Sequence, residues 1–331
     1  MNSRETLLLT KAEVEPLLDL DECIDAVERA FRMRGEGKAR PPGVLGFPYA
    51  DGGFHIKAAG LDLSRPYFAM KLNGNFTNNP QRHGMPAIQG IIVLCDAENG
   101  FPLAVLDSIA VTIARTGAAT AVAARYLARR ESATATICGC GHQGRIQLAA
   151  ILRVCPVRRV FAFDADPVRA RQFAEEHGPS AKIEIRAVSD LSSALRESDI
   201  CVTCTPSRRP FVRLEDIAPG TFVAAVGADS PDKQELDPRL LAASKVVVDV
   251  REQCEEIGEL HHALALGLLR PESVHAELSD LAAGTKPGRE SASEITVFDS
   301  TGTALQDVAA AALVYEKALR AGVGSSLRMT G

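Results

Sequence analysis

The stretch TATICGCGHQG, residues 134–144, carries the strongest local structural signal in the sequence. Its first half is a run of apolar and β-branched residues, and its second half reads Gly139-Cys140-Gly141-His142-Gln143-Gly144. The segment RIQLAAILRV, residues 145–154, follows with the spacing of a helix. The glycines are therefore expected in the turn between a buried strand and a helix. A G-x-G-x-x-G turn in this context is typical of a dinucleotide-binding βαβ unit.

Each glycine of this turn has an expected task. Gly139 makes the tight turn, Gly141 lets the backbone approach a pyrophosphate, and Gly144 lets helix and strand pack closely. The free N–H groups at the helix N-terminus suit the phosphates. Asp164 ends the next strand, 20 residues after Gly144, where a carboxylate accepts both ribose hydroxyls and repels a 2′-phosphate. The sequence therefore predicts a bound dinucleotide, and NAD in preference to NADP. The alternative to a dinucleotide site is a glycine turn that holds no nucleotide.

Strand and helix patterns alternate outward from this turn. The apolar strand candidates are residues 134–140, 159–164, 182–186, 199–204, 221–227, 245–250 and 294–300. Nearly continuous Val, Ile and Ala in strands separated by helices indicate a parallel sheet buried on both faces. The predicted fold class is α/β, with a Rossmann-type doubly wound parallel sheet.

The residues before this region predict a second kind of layer. Helical spacing over 11–34 is followed by a Gly- and Pro-rich segment, 35–53, that we expect to be a loop. Strand-like runs then cover 54–61, 67–76, 88–97 and 101–107, and Asn99-Gly100 favours a hairpin between the last two. Helices are expected over 108–130 and 304–321. We predict an α+β domain, residues 1–115 plus 305–331, and an NAD-binding domain, residues 116–304.

Composition narrows the class of protein. The chain has 331 residues, 46% of them hydrophobic, and a formal charge of −5, without a Lys- or Arg-rich run that would suit nucleic acid or an anionic membrane. The sequence has no apolar stretch long enough for a membrane span, and its first residues do not match a signal peptide. We therefore expect a cytoplasmic protein. The eight cysteines lie mostly in apolar runs and are expected to be buried thiols, Cys201 and Cys204 included. His261 and His262 lack further ligands at metal spacing, so we predict no metal site.

Several separated motifs, in order, resemble the ornithine cyclodeaminase/mu-crystallin family. They are KAR (38–40), AMKLNGN (69–75), ARTGAATAVAARYLA (114–128), GCGHQG (139–144), AAVGADSPDKQEL (224–236) and VFDSTGTALQDV (297–308). The resemblance covers residues 40 to 324. It implies NAD(H) chemistry on a small amino or imino acid. It also implies that the first domain, residues 1–115 plus 305–331, is the substrate-binding and dimerisation domain, through which a homodimer forms.

The resemblance assigns roles to four charged residues. Arg40, Lys71 and Arg115 are expected to hold the substrate α-carboxylate, with Lys71 also catalytic, and Asp229 to be the general acid/base. From the residues alone, Lys71 in an apolar strand is costly unless it has a task or snorkels to the surface. Arg115 could instead lie on a polar helix stripe, and Asp229 could cap the turn that follows it.

Further positions match the family less specifically. The expected cofactor contacts are Arg115, Gly139, Gly141, His142, Gln143, Gly144, Asp164, Thr205, Val226, Gly227, Lys233 and Ser300. Thr301 is expected on the substrate side.

One segment departs from the family pattern. Ornithine-processing members place an acidic residue in the strand before the lysine motif, whereas this chain has His55 and Lys57 there. If these groups face the pocket, they disfavour a basic substrate side chain and favour a short neutral or acidic one. The alternative is an exposed strand edge that carries His and Lys.

Three functions follow from the resemblance. The first is an NAD(H)-dependent imine reductase or amino-acid dehydrogenase that acts at a Cα–N bond. The second is an ornithine cyclodeaminase, which uses NAD catalytically and releases ammonia. The third is a non-catalytic binding protein similar to mu-crystallin. The missing carboxylate near residues 55–59 favours the first.

Overall fold

A computed structural model describes residues 5–328 of the chain, apart from the side chains of residues 179–181. The helices and strands follow one another in this order: β1 (Thr6–Leu9), α1 (Lys11–Val14), α2 (Leu20–Gly35), β2 (Gly43–Tyr49), β3 (Gly52–Asp62), β4 (Pro66–Asn75), α3 (Asn79–His83), β5 (Ile88–Asp96), β6 (Pro102–Asp107), α4 (Ser108–Leu127), β7 (Thr134–Cys138), α5 (His142–Val154), β8 (Arg159–Phe163), α6 (Pro167–Ala181), β9 (Glu184–Ala187), α7 (Leu191–Arg196), β10 (Ile200–Thr203), β11 (Arg208–Val212), β12 (Phe222–Ala225), β13 (Gln234–Leu236), α8 (Pro238–Ala242), β14 (Lys245–Val248), α9 (Arg251–Glu256), α10 (Leu260–Ala265), β15 (Ala276–Glu277), α11 (Leu278–Ala282), β16 (Thr296–Asp299), α12 (Ala304–Ala321) and β17 (Ser325–Leu327). Short 3₁₀ turns lie at Glu15–Leu17, Leu214–Asp216 and Pro271–Ser273.

The chain divides into two compact units. The first contains the described residues up to Ala118 together with those from Thr303 onward, and the second is Ala119–Gly302. The chain therefore leaves the first unit within α4 and returns to it at the start of α12.

The first unit is built on a sheet of order β17-β1-β6-β5-β4-β3-β2. Strands β2 to β6 form an antiparallel meander, and β5 turns into β6 through Gly100, whose positive φ of 77° suits glycine. Helix α12 packs against α2 and against β3, β4 and β5. Because α12 is buried from residue 304 to residue 312, a polar residue in that part of the helix is costly unless it has a partner inside the unit.

Two expectations for this unit are wrong in detail. The segment 35–53 is not all loop, since β2 pairs with β3 along its length. Every residue of β2 is exposed, and Pro48 is tolerated because this strand has a neighbour on one side. The helical pattern over 11–34 is interrupted as well, because Asp19 takes extended backbone angles and caps α2 by accepting from the Glu22 N–H at 3.0 Å.

The second unit confirms the predicted fold class. Its main sheet has the order β15-β14-β16-β12-β10-β7-β8-β9, and every pairing in it is parallel. The chain runs outward from β7 through β8 and β9 and then returns to the other side of β7 with β10. The strand order thus reverses between β7 and β10, which is where open α/β sheets bind ligands at their carboxyl ends. A small pair, β11 with β13, lies outside the main sheet and was not predicted.

The cysteines behave as buried thiols. All eight are free, six are buried, and Cys95 and Cys204 are half-buried. Burial raises the pKa of Cys23 to about 12 and that of Cys155 to about 11, so these thiols stay protonated at neutral pH. Within residues 5–328, no helix is both long enough and apolar enough to cross a bilayer.

Candidate active site

The glycine-rich turn follows β7 at the point where the strand order reverses. Gly139 has a φ of 103°, and a Cβ built on it would lie 2.9 Å from the carbonyl oxygen of Cys204, just beyond β10. A Cβ on Gly144 would lie 2.0 Å from the Gly139 oxygen, so helix and turn touch through their backbones. A Cβ on Gly141 would meet nothing within 4 Å. The first and third glycines thus allow close packing, and the second leaves open space.

That open space lies at the N-terminus of α5. Gly141 is the N-cap residue of this 13-residue helix, and no side chain caps it. His142 is exposed here, and the buried Oε1 atom of Gln143 has no hydrogen-bond partner. An uncapped helix end beside open space fits a phosphate group, because its N–H groups and positive dipole favour an anion.

Asp164 follows β8 directly and contacts the same turn. Its Oδ2 atom accepts from the Cys140 N–H at 2.8 Å, and its Oδ1 atom accepts from the Asp166 N–H at 2.9 Å. Each carboxylate oxygen can accept more than one hydrogen bond, so the half-buried group keeps capacity for a ribose hydroxyl. Asp164 therefore fixes the turn and still offers an acceptor next to it.

A buried carboxylate not assigned from the sequence, Glu235, holds the ends of β10 and β12 together. It accepts from Thr203 Oγ1 at 2.7 Å, from the N–H and hydroxyl of Thr205 at 2.6 and 2.7 Å, and from the Gly227 N–H at 2.9 Å. Burial raises the pKa of Glu235, while these hydrogen bonds oppose the shift. The predicted site residues Thr205 and Gly227 are thus fixed by one side chain, and Val226 lies between the strand and Gly227, its N–H bonded to Thr203 O at 2.8 Å.

A second buried carboxylate, Asp249, fixes the segment after β16. It accepts from Thr301 Oγ1 at 3.0 Å, from the Gly302 N–H at 2.6 Å and from Ser300 Oγ at 3.4 Å. Gln253 Nε2 also donates to Thr301 Oγ1 at 2.8 Å. Ser300 and Thr301 are buried, and their hydroxyl groups serve this network.

Asp229 and Lys233 lie together in the loop after β12. Lys233 Nζ donates to Asp229 Oδ1 at 2.5 Å, and the Asp229 side chain is half exposed. The two neighbouring histidines donate to backbone carbonyl oxygens of this loop: His261 Nε2 lies 3.1 Å from Pro231 O, and His262 Nε2 lies 2.8 Å from Lys233 O. The histidines therefore shape the loop that carries Asp229. Over residues 5–328 the structure contains no cluster of His, Cys, Asp or Glu arranged for a metal ion.

In the first unit, two predicted cations converge on one carboxylate of α12. Lys71 Nζ donates to Asp307 Oδ1 at 2.9 Å and lies 2.8 Å from Oδ2, which it approaches without hydrogen-bond geometry. Arg115 Nε donates to Asp307 Oδ1 at 3.0 Å, and its Nη1 donates to Gln306 Oε1 at 2.8 Å. Lys71, Arg115 and Asp307 are 4%, 5% and 1% exposed, so neither cation snorkels to the surface.

Burial changes the proton affinity of this cluster. Burial and the Arg115 charge lower the pKa of Lys71 to about 7, although Asp307 opposes the shift. Burial disfavours ionisation of Asp307, but Lys71 and Arg115 outweigh it and hold its pKa below the usual range. Beside them, the amide nitrogen of Gln306 is buried without a hydrogen-bond partner. The cluster therefore combines excess positive charge with an unused donor.

The other predicted residues of this unit lie at different places. Lys57 is paired directly opposite Lys71 across β3 and β4, is buried, and acts on Asp307 through its charge, while His55 is half-buried two residues earlier. Since β3 lies between β2 and β4, the alternative of an exposed strand edge is wrong. Arg40 has an exposed side chain whose stem lies against Gly60, to whose carbonyl its N–H donates at 3.1 Å. The structure thus brings Lys57, Lys71 and Arg115 to one cluster, whereas the side chain of Arg40 is exposed.

Comparison with known proteins explains this arrangement of motifs. The model of the ornithine cyclodeaminase/mu-crystallin family matches residues 4–322. The chain belongs to this family. An alanine dehydrogenase of Archaeoglobus fulgidus is 42% identical over 327 residues, 98% of either chain, and an iminosuccinate reductase of Paracoccus denitrificans is 32% identical over 325 residues, 98% of this chain and 100% of the other.

Solved structures of the family are similar over the whole chain. An archaeal alanine dehydrogenase dimer with bound NAD has a TM-score of 0.94 at 41% identity, and the match covers 98% of this chain and all of that one. The Δ1-pyrroline-2-carboxylate reductase of Thermococcus litoralis, in complex with NADH and L-proline, has a TM-score of 0.91 at 35% identity, covering 97% of this chain and all of that one.

If Asp307 offsets the free-energy cost of burying Lys71 and Arg115, replacing it should lower the stability of the protein. We expect Asp307→Ala to lower the free energy of unfolding by about 3–5 kcal/mol, because Lys71 and Arg115 lose their buried counter-charge. Urea denaturation of the purified chain measures this value. The matched control is Asp51→Ala in the same unit, whose pair with Arg82 is more than half exposed on both sides and should cost about 0–1 kcal/mol. Equal losses in the two variants would show that the cluster is not under this constraint.

Proposed function

We propose that the chain is an NAD(H)-dependent oxidoreductase that acts at the Cα–N bond of a small α-amino or α-imino acid. The observation that carries the proposal is the cluster in the first unit, where Lys71 and Arg115 are buried with a single shared carboxylate. Buried cations with spare donors suit an anionic ligand, and the α-carboxylate is the anion that all such substrates share. The relatives named above act on substrates of this kind.

Arg115 and Lys71 would bind the substrate carboxylate in different ways. Arg115 uses Nε and Nη1 for Asp307 and Gln306, which fixes its plane and leaves Nη2 for a ligand. Gln306 Nε2 supplies a further buried donor. Arg40 joins this group in the proposal through its family motif alone, since its side chain is exposed.

Lys71 would also serve the reacting nitrogen. Its pKa of about 7 lets the ε-amino group exist in both protonation states near neutral pH. A group of this kind can give a proton to an amine nitrogen or take one from it, which is general acid–base catalysis. Asp307 then has a second effect, because it keeps the pKa of Lys71 from falling further.

The second unit would bind the cofactor. When bound, NAD⁺ would accept a hydride from the substrate α-carbon, and NADH would donate a hydride to it. The open space at Gly141 and the uncapped α5 would hold the pyrophosphate, and Asp164 the adenosine ribose. Glu235 and Asp249 fix the residues that would lie along the nicotinamide and substrate side, and Lys233 would lie near the cofactor. The fixed residues are Thr205, Val226, Gly227, Ser300 and Thr301.

We further propose that the chain forms a homodimer through its first unit. Strand β2 exposes Val44, Leu45, Phe47 and Tyr49 by 40–62%, an unusual amount of apolar surface on an edge strand. Covering this strand with a second copy would remove that surface from water. The similar archaeal alanine dehydrogenase is a dimer in its solved structure.

Asp229 is the proposed acid/base, and its replacement tests the reaction class. We expect the wild-type chain to consume NADH with a 2-oxo acid and ammonia, and Asp229→Asn to lower kcat by about 10²–10⁴-fold with unchanged NADH affinity, because only proton transfer is lost. Absorbance of NADH gives the rates, and its fluorescence on binding gives the affinity. The control is Asp232→Asn, three residues on in the same loop, whose carboxylate pairs with Arg208 and Ser230.

Two results would contradict this assignment. Undiminished kcat in Asp229→Asn would exclude the residue from the chemistry. Release of ammonia from ornithine by the wild-type chain, with no net change in NADH, would identify a cyclodeaminase instead.

Asp164 tests the cofactor assignment. We expect Asp164→Ala to weaken NADH binding and to reduce the preference for NADH over NADPH by roughly tenfold or more, because one charged acceptor is lost and repulsion of the 2′-phosphate ends. The ratio of kcat/KM for the two cofactors measures the effect. Asp166→Ala, which removes the N-cap of α6 only two residues away, should leave the ratio unchanged. An unaltered ratio in Asp164→Ala would mean that the ribose is bound elsewhere.

A further inference from the structure

Strand β4 and helix α4 contact each other through two successive polar pairs. In the first pair, Lys71 Nζ donates to Thr112 Oγ1 at 3.4 Å. In the second, Ser108 Oγ donates to Asn73 Oδ1 at 2.6 Å. Asn73 follows Lys71 on the same face of β4, about 6.8 Å along the strand, and Ser108 precedes Thr112 by about 6 Å along the helix. The Asn73 amide therefore lies beside the cation cluster, on the side away from Arg115.

The amide of Asn73 is held in one orientation. Asn73 is paired with Gly90 of β5, and a Cβ built on Gly90 would lie 2.2 Å from Asn73 Oδ1 and 2.8 Å from Ser108 Oγ. Glycine at this position thus makes room for the amide to reach Ser108. Ser108 is fully buried, and its hydroxyl group donates to the amide oxygen. The Nδ2 group of Asn73 therefore points away from this hydroxyl group.

This Nδ2 group is an accessible donor. It has no hydrogen-bond partner among residues 5–328, and it is not one of the fully buried atoms that lack a partner, so solvent or a ligand reaches it. His55 is directly opposite Asn73 in the pairing of β3 with β4 and adds a second polar side chain at this position. The face of the sheet thus passes from the buried Lys71 to a half-buried, polar place with a free donor.

We infer that Asn73 determines specificity: its Nδ2 group donates a hydrogen bond to an oxygen atom of the substrate side chain. The substrate is then a short α-amino or α-imino acid whose side chain carries a hydroxyl, amide or carboxylate oxygen. This inference rests on the function proposed above and names the substrate class of the same site. Because Asn73 is only about 6.8 Å along the strand from Lys71, a side chain with one or two carbon atoms spans the distance from the α-carboxylate.

The same arrangement disfavours other substrate side chains. An aliphatic side chain would cover the Nδ2 group of Asn73 without replacing its hydrogen bond to water, and a buried donor without a partner is costly. Sites built to hydrogen-bond a substrate hydroxyl group reject the analogue that lacks it for this reason. A side-chain ammonium group would place one donor against another, so a basic side chain is disfavoured as well.

Steady-state kinetics of the full chain with NADH and ammonia test the inference. The substrates are 3-hydroxypyruvate and oxaloacetate, whose side chains carry oxygen, and 2-oxobutyrate, which has a methyl group in place of the hydroxyl group of 3-hydroxypyruvate. We expect the better oxygen-bearing substrate to exceed 2-oxobutyrate in kcat/KM by at least roughly fivefold, the worth of one hydrogen bond. Asn73→Ala should reduce this ratio by about the same factor. Which of the two is better distinguishes a hydroxyl from a carboxylate side chain.

Two further variants separate hydrogen bonding from structure. Asn73→Asp keeps the shape of the side chain and the acceptor for Ser108, but replaces the Nδ2 donor with an acceptor. It should reduce kcat/KM for oxaloacetate relative to 2-oxobutyrate by at least roughly tenfold, because two carboxylates then face each other, and affect 3-hydroxypyruvate less, because a hydroxyl group can donate. Asn99→Ala removes an amide of the β5–β6 turn that donates to Asp96 at 3.0 Å, and should leave both ratios unchanged. If Asn73→Ala does not fold, Asn73→Asp decides.

The outcomes distinguish failure of the inference from failure of the proposed function. Turnover without an advantage for either oxygen-bearing substrate would leave the function standing and overturn the role of Asn73. The same holds if Asn73→Ala or Asn73→Asp slows all three substrates equally, since Asn73 would then only join β4 to α4. Absence of NADH consumption with every 2-oxo acid would overturn both.

Discussion

The carboxylate of Asp307 is the interaction on which the rest of the first unit depends. It accepts from Lys71 and Arg115 inside the protein, where an unpaired cation costs several kcal/mol. Helix α12 carries this carboxylate and packs on β3, β4 and β5, so it places a negative charge beside Lys71 and Arg115. One carboxylate shared by two cations makes their burial tolerable and fixes the positions of both. The arrangement of these cations is thereby built into the fold, before any ligand binds.

The second unit uses buried carboxylates for a different purpose. Glu235 joins the ends of β10 and β12, and Asp249 fixes the segment after β16, through hydrogen bonds from hydroxyl and backbone donors. Loops at the carboxyl ends of parallel strands are usually the variable part of such a fold. Here their conformation is set by side chains that contact no solvent, so the proposed nicotinamide side is held in one geometry. Asp229 lies in an exposed loop instead, which suits a group that exchanges protons with water.

Local pattern was enough for most of the fold but not for the networks within the site. The strands of the parallel sheet and the glycine turn are short-range signals, and the fold class predicted from them is confirmed. The family predicted from the six separated motifs is confirmed as well. Strand β2 was missed because Gly43, Gly46 and Pro48 interrupt its apolar residues, and its pairing with β3 is a tertiary contact. Lys71 and Arg115 stood out because charge within an apolar pattern needs a reason. Asp307 lies 236 residues from Lys71 and 192 residues from Arg115, so no local sequence pattern indicates these contacts. Glu235 lies in β13, a strand of three residues that was not predicted, so its buried position had no local signal.

The most direct test of the account is a crystal structure of the chain with NAD⁺ and oxalate, a carboxylate that cannot react. We expect a carboxylate group of oxalate within hydrogen-bonding distance of Lys71 Nζ and Arg115 Nη2, with the contacts of Asp307 to both cations preserved. Oxalate bound elsewhere, with Lys71 and Arg115 contacting only Asp307 and Gln306, would contradict this proposal. The two buried cations would then contribute to the structure of the first unit and not to substrate binding.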